Sequence, residues 1–417
     1  MKLIFFIILQ SIFTRYSLLA LDVKVTAGSA ILINAENGYI IYQKNPKKKA
    51  YPASTTKIAT ALYVLKLMEN QLDFPCTATQ EHLATITPQA KRDSNYRCPP
   101  YFLETDGSHM SIKRGEQFPL SELIRGLLLV SANDAANVIA GTLSNDIDEF
   151  VLRLNNYLTQ IGCVGTHFSN PHGLHFPNHY TCAYDLALIA REGMKIPFFR
   201  ETVGMKIYNM PETNLQKERT MLQHNKLLKA GVNYYSKAIG IKTGYTSNAG
   251  GTLVAAAEDK NRKLIVVLLD YTGKSQRFED AIALFNAAFN EKKMRKYLFS
   301  PNETPFSIKV KGSRHKLIGV IPMGLHYDFY PSETPQVKGL VRWNLPALPI
   351  NKGTQVGEVC VIDLMGNVLN KTPVIAKETL KPTLTYSLFH IHRIPTFISL
   401  GALFCLSCIF LLIKRYR

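Results

Sequence analysis

Cysteine is scarce, with seven in 417 residues, too few for a disulfide-dense scaffold. Charged residues make up only 19% of the chain, below the globular norm. Acidic side chains are the short half, 31 against 49 Lys and Arg, which leaves a net charge of +18. Such a basic excess suits an anionic partner: nucleic acid, membrane lipid or an acidic wall polymer. No internal repeat is visible. The eleven His form no zinc pattern, since His172 and His175 stand three apart without an evident third ligand. Neither a metal nor another cofactor is therefore expected. What the chain does have is 46% hydrophobic and 10% aromatic content, which excludes disorder. Its length calls for two or three domains.

The ends carry the strongest compositional signals. Met1-Lys2 precedes an apolar run from Leu3 to Leu9, the charged start and hydrophobic stretch of a signal peptide. Cleavage after the small Ala20 would make residues 1–20 that peptide, although Leu18 fits the −3 position poorly; an uncleaved anchor is the alternative. At the other end, Ile394 to Ile413 is 20 residues without a charge, about 30 Å as a helix and enough to cross a bilayer. Lys414, Arg415 and Arg417 follow it, against a lone Arg393 before it, so the tail 414–417 is expected in the cytoplasm. The body between the two segments is then expected outside the membrane, which argues against a nucleic-acid partner. Outside the span remain Cys76, Cys98, Cys163, Cys182 and Cys360. That is an odd set, so at least one thiol is free or paired elsewhere, and the connectivity stays open.

The body reads as two domains, 21–298 and 299–385, with 386–393 as a juxtamembrane linker. In the first, Ser29 to Ile33 and Tyr39 to Tyr42 read as strands joined through the hairpin signal Glu36-Asn37-Gly38. Thr55 to Met68 reads as a helix with Ile58, Leu62, Leu65 and Met68 on one face. Leu120 to Val130, Asp134 to Leu143 and Arg277 to Phe289 read as further helices. Three apolar strands are expected at Ala238 to Thr243, Thr252 to Ala257 and Leu264 to Asp270. Together they predict an α+β domain, an antiparallel sheet with helices packed on it. Beyond Ser300 only short β-like runs separated by Pro and Gly turns are visible, at Phe306 to Val310, Leu317 to Ile321, Val337 to Trp343 and Val356 to Ile362. They predict a small all-β domain.

Three short motifs carry the chemistry. Ser54-Thr55-Thr56-Lys57 opens the predicted helix. At a helix start residues i and i+3 share a face, so the Lys57 amine can reach the Ser54 hydroxyl. The free N–H groups and positive end of the dipole favour a developing oxyanion. Taken alone, Ser54 could be an ordinary N-cap with Lys57 solvated. A second Ser-x-x-Lys, Ser313-Arg314-His315-Lys316, lies in the β-rich region and lacks that context. Ser131-Ala132-Asn133 sits between two apolar helices, and Lys242-Thr243-Gly244 ends a strand. Arriving in this order, each in its own structural setting, the three define a serine acyl-transfer set.

On these residues the chain resembles the low-molecular-weight penicillin-binding proteins, specifically the D-alanyl-D-alanine carboxypeptidases. The likeness extends to Ser29–Lys57, Leu120–Ala136, Asn170-Pro171-His172-Gly173-Leu174, Ile239–Ala257 and, more weakly, Gly353–Ala376 with its Met365-Gly366-Asn367 hairpin. It implies a penicillin-binding or β-lactamase-like catalytic domain, peptidoglycan stem peptides as substrate, β-lactams as covalent inhibitors, and an inner-membrane enzyme held by its C-terminal helix with the catalytic body on the periplasmic side. By the same resemblance Ser54 is the nucleophile, Lys57 its base and Ser131 a proton relay. Asn133 holds the substrate amide, and Lys242, Thr243 and Gly244 line the carboxylate end. The N–H groups of Ser54 and Tyr245 form the oxyanion hole, and Arg277 takes the terminal carboxylate. The sequence departs from the family in several places. It has a full span where family members usually carry an amphipathic helix. Gln89 to Asp106 looks like extra sequence, Ala132 stands where Gly is commoner, and His179-Tyr180-Thr181-Cys182 implies an altered rim of the site.

Two other classes share the motifs. A class A-like β-lactamase adds a Glu followed four residues later by Asn between the second and third motifs. Here Glu149, Glu192, Glu201, Glu212 and Glu218 are followed at that spacing by Arg153, Ile196, Met205, Gln216 and Leu222. A non-catalytic wall-binding scaffold is the other, and the intact motif side chains argue against it.

Overall fold

Two apolar runs around Glu36-Asn37-Gly38 fold back as an antiparallel pair, β1 (Ser29–Asn34) and β2 (Ile40–Lys44). Gly38 takes the positive φ, 77°, that the turn needs. The structure, a computed structural model, describes residues 21–391 apart from 261, 272–275, 303–305, 334–336 and 364–365. The described residues fall into two units that part between Glu291 and Lys292.

In the first unit β3 (Ala238–Thr246), β4 (Gly250–Asp259) and β5 (Arg262–Leu269) complete a five-stranded antiparallel sheet ordered β2-β1-β5-β4-β3. Successive side chains of a strand point to opposite faces, and both faces are covered here. Ile31, Ile33, Val254, Ile265 and Val267 pack into one core; Ala30, Leu32, Leu253, Val266 and Leu268 pack into the other. The first core is filled by α1 (Thr56–Leu67), α3 (Leu120–Leu129), α4 (Asn133–Leu143), α5 (Ile147–Gln160), α6 (Ala183–Met194) and α7 (Pro197–Gly204). A short α2 (Pro88–Asp93) lies between α1 and α3 in the chain. The second core is closed by α8 (Gln276–Phe289) through Phe278, Ala281, Leu284 and Phe285. The single apolar face expected for α1 is too narrow a description. Thr56 to Leu62, Val64 and Leu65 are all buried, because α3, α5, α6 and α7 all pack against this helix.

The second unit starts earlier than expected. Met294–Phe299 forms β6, which pairs with β9 (Leu325–Phe329) rather than extending the first unit. Beside this pair lies a five-stranded antiparallel sheet of β7 (Phe306–Lys309), β8 (Lys316–Val320), β10 (Val337–Trp343), β11 (Gln355–Asp363) and β12 (Val368–Ala376), ordered β7-β8-β12-β11-β10. The sequence reading gave β12 no strand of its own, although the Met365-Gly366-Asn367 hairpin pointed to one, and Pro373 within it argues against a central strand. The proline is tolerated because β8 pairs with β12 only at Ile375 and Ala376. Helix α9 (Leu384–Ile391) occupies most of the expected linker. The proposed signal peptide, 1–20, and the proposed span, 394–413, with its tail lie outside the described residues. Among the described residues no helix is long and apolar enough to cross a membrane. Cys76, Cys98, Cys163, Cys182 and Cys360 are all unbridged.

Candidate active site

A tight turn sets Ser54 in place. Ala53–Thr55 form one turn of 3-10 helix immediately before α1, so Ser54 precedes the α-helix and Lys57 is its second residue. The turn is pinned from two sides, because Thr55 Oγ1 and Thr252 Oγ1 donate to the Pro52 carbonyl at 2.7 and 3.0 Å. Thr252 lies on β4, so the sheet itself holds the turn.

Lys57 is fully buried. Its Nζ lies 3.1 Å from Ser54 Oγ, 2.6 Å from Asn133 Oδ1 and 2.5 Å from the His172 carbonyl. Burial first, then the Lys242 charge, hold its amine well below the ordinary lysine pKa, against a smaller upward pull from Asp134. A neutral amine keeps a lone pair. In that form it could accept the Ser54 hydroxyl proton across the 3.1 Å between Nζ and Oγ.

Ser131 and Asn133 come from the short connection between α3 and α4. Ser131 sits at φ 64°, a left-handed conformation that costs a non-glycine residue of order 1–3 kcal/mol. Its Oγ is buried without a hydrogen-bond partner. The connection is held by Asp134, whose carboxylate accepts from the Met110 and Ile112 N–H groups at 3.1 Å, and by Asn133 N–H donating to Ser108 O at 2.8 Å.

The third motif runs along β3. Burial pushes the Lys242 amine down to about 7. Gly244 lets the strand approach the Ser54 turn: a Cβ there would lie 2.8 Å from the Ser54 nitrogen and 2.4 Å from Thr252 Oγ1. Gly173, in the block after α5, does the same from the other side. Its φ is +92°, and a Cβ would fall 2.0 Å from the Ala53 carbonyl oxygen. Arg277 stands in the first turn of α8, with burial lowering its pKa. Asp280, a conceivable partner for that arginine, instead accepts from the Thr26 and Ala27 N–H groups and the Tyr271 hydroxyl.

A cleft of about 600 Å³ gathers these groups. Ser54, Ser131, Asn133, Thr243, Gly244, Tyr245 and Arg277 line it, with Lys57 and Lys242 buried behind. The structure therefore brings three distant motifs together and adds Arg277 to the same opening. Sequence reasoning missed part of the wall. Arg92, Tyr96 and Asp106 from the extra segment line the cleft, as do His175 and His224. The ion pair between buried Lys91 and partly exposed Glu104, 2.9 Å, ties the two ends of that segment together. The only signal was the segment's surplus length; nothing in its spacing pointed to the cleft. The expectation for His179 to Cys182 is corrected. His179 is 1% exposed, donates or accepts at Thr56 Oγ1 over 2.8 Å and lies behind the Ser54 turn, not on a rim. Thr181 closes the same layer by pairing with Ala50. Among the described residues no group of His, Cys, Asp or Glu is placed to hold a metal ion.

An antiparallel sheet flanked by helices, with a buried lysine against a serine at the start of the central helix, defines the penicillin-recognising serine hydrolase class. Within it the chain belongs to the Peptidase S11 family of D-alanyl-D-alanine carboxypeptidases, whose family model matches residues 17–273. It is 28% identical over 358 residues to the D-alanyl-D-alanine carboxypeptidase DacF of Bacillus subtilis, covering 85% of this chain and 86% of that one. The structure of a D-alanyl-D-alanine carboxypeptidase from Mycobacterium tuberculosis matches with a TM-score of 0.54 at 27% identity, over 65% of this chain and 93% of the other. Penicillin binding protein 6B from Escherichia coli shares the fold, with a TM-score of 0.59 at 24% identity over 87% and 98%.

Proposed function

We propose that this chain is a serine D-Ala-D-Ala carboxypeptidase that trims the terminal D-alanine from peptidoglycan stem peptides. The observation that carries the reading is the 3.1 Å approach of Lys57 Nζ to Ser54 Oγ, with burial and then the Lys242 charge drawing the amine's pKa down toward that of a usable base. Ser54 Oγ attacks the penultimate D-Ala carbonyl while its proton passes to Lys57 Nζ. The C–N bond breaks, and the proton reaches the leaving amine through Ser131, whose buried Oγ is uncommitted. Water then cleaves the Ser54 ester. The N–H groups of Ser54 and Tyr245 stabilise the oxyanion. Asn133 holds the substrate amide, and Lys242, Thr243 and Arg277 take the terminal carboxylate. A β-lactam carbonyl enters the same path and leaves its opened ring on Ser54. No step calls for a metal or cofactor.

The wider assignment keeps residues 1–20 as signal peptide, a catalytic domain up to the divide at Glu291, a β-rich domain to about residue 385 and a single-pass anchor at 394–413, with the catalytic body on the periplasmic side of the inner membrane. Its support is the uncharged 20-residue stretch followed by Lys414, Arg415 and Arg417.

Labelled penicillin tests the first part. It should form a covalent adduct on the peptide carrying Ser54, and Ser54→Ala should abolish it; labelling at Ser313 would sink the assignment. Carriage in membranes tests the second. Full-length chain should stay with membranes in high salt, while a chain ending near His390 should be soluble and still turn over a D-Ala-D-Ala peptide.

A further inference from the structure

The second Ser-x-x-Lys has no place in the chemistry above, yet the fold uses it. Ser313 Oγ accepts from the His315 N–H at 3.3 Å, shaping the turn that leads into β8. Across from this turn runs the segment that leaves β12. Thr383 N–H donates to the Gly312 carbonyl at 2.7 Å, and Lys377 N–H to the Ile318 carbonyl at 2.8 Å. Gly312 has φ +95°, and a Cβ on it would lie 2.3 Å from the Tyr386 ring, so the two walls are fixed against each other. Between them is a groove of about 580 Å³ lined by Arg314, Lys316, Glu378 and Lys381, and ending at Leu384.

The charge of this groove is lopsided. Arg314, Lys316 and Lys381 are exposed, Lys311 and Lys377 lie beside them, and Glu378 is the one acidic side chain of the lining. None of the five cations forms an ion pair among the described residues, whereas Arg295 and Arg342 elsewhere in the unit do, with Asp328 and Glu358. Leu384, 81% exposed, adds an apolar tip at the groove's end. Cations beside an exposed aliphatic group fit a headgroup layer, where phosphates meet hydrocarbon. The chain's course agrees. Helix α9 carries it from Leu384 to Ile391, about 12 Å at the helical rise, and the uncharged stretch begins at Ile394.

We propose that this groove docks on the anionic lipid surface of the membrane, with Arg314, Lys316 and Lys381 taking lipid phosphates and Leu384 entering the interface. The inference rests on reading 394–413 as the anchor, because that reading keeps the groove beside a bilayer. Docking then orients the β-rich unit, which a bare tether would leave free to tumble.

Full-length chain reconstituted in phosphatidylcholine vesicles, with and without phosphatidylglycerol, separates the two readings. Each cation near an anionic leaflet is worth roughly fivefold in affinity, about 1 kcal/mol. Amide exchange over 312–318 and 379–384 should therefore slow at least roughly tenfold on the anionic vesicles, and salt should reverse it. The variant Arg314→Gln/Lys316→Gln/Lys381→Gln should lose this protection. The charge-matched Lys309→Gln/Lys338→Gln/Lys352→Gln should keep it. Equal exchange on both vesicle types overturns the proposal, as does equal loss in both variants. Slowing by soluble polyphosphate without any effect of lipid would overturn it too and assign the groove to an anionic polymer. Release of the chain from neutral vesicles in high salt strikes the anchor reading alone, since the groove is judged on the anionic ones.

Discussion

Lys57 Nζ and Asn133 Oδ1, 76 residues apart in the chain, meet at 2.6 Å inside the buried wall of the cleft. The contact joins the first motif to the second and leaves the amine aimed at Ser54. Removing the amide oxygen frees a buried amine to swing, and small misplacements of a catalytic group cost about 10² in rate. Asn133→Ala should slow penicillin acylation by roughly that factor, and Lys57→Ala by about 10² or more through loss of the base. Stopped-flow acylation of both variants checks this. Near wild-type rates for Lys57→Ala would remove that residue from the mechanism.

Gly244 gives a steric test of the same geometry. Its missing Cβ would meet the Ser54 nitrogen at 2.8 Å, so Gly244→Ala must push β3 and the Ser54 turn apart. Acylation should fall by about 10² while the thermal midpoint drops by only a few degrees. Unchanged acylation would show that the strand yields without disturbing Ser54.

Arg277 should matter for substrates that end in a free carboxylate. A guanidinium grips that group through two hydrogen bonds and stays charged at any working pH. Arg277→Ala should lower kcat/KM by roughly 30-fold or more, corresponding to about 2 kcal/mol or more. The loss should shrink for a C-terminally amidated peptide. Equal losses on both peptides would mean that Arg277 supports the fold and not carboxylate recognition.

Lys242 ties the site to stability. Burial holds its folded-state pKa at about 7, below the ordinary 10.5. Between those values the unfolded chain binds the extra proton, so stability rises with pH across that window. The full swing is on the order of 5 kcal/mol from this group alone. Urea unfolding at about pH 7 and about pH 9.5 should show the rise in the parent protein and a smaller one in Lys242→Met, where the lowered pKa of Lys57 still contributes. Parallel rises in the two proteins would place the proton elsewhere.

The sequence by itself determined the periodic elements and the three motifs. Continuous apolar runs located β1, β3, β4 and β5, because a strand covered on both faces must be apolar throughout. Ser54 and Lys57 were legible because a helix start places i and i+3 on one face whatever surrounds it. Arg277 was placed only through the resemblance to the carboxypeptidase family. Tertiary structure decided what local pattern does not encode. It buried α1 on nearly all sides, since four helices from distant parts of the chain converge on it. It joined Met294–Phe299 to a strand about thirty residues on, and kept Val368–Ala376 as a strand despite Pro373. It also folded Arg92, Tyr96 and Asp106 into the cleft wall and sent His179 behind the Ser54 turn. Each of these depends on which surfaces meet across long loops, and pairing partners at that range leave no period in the chain.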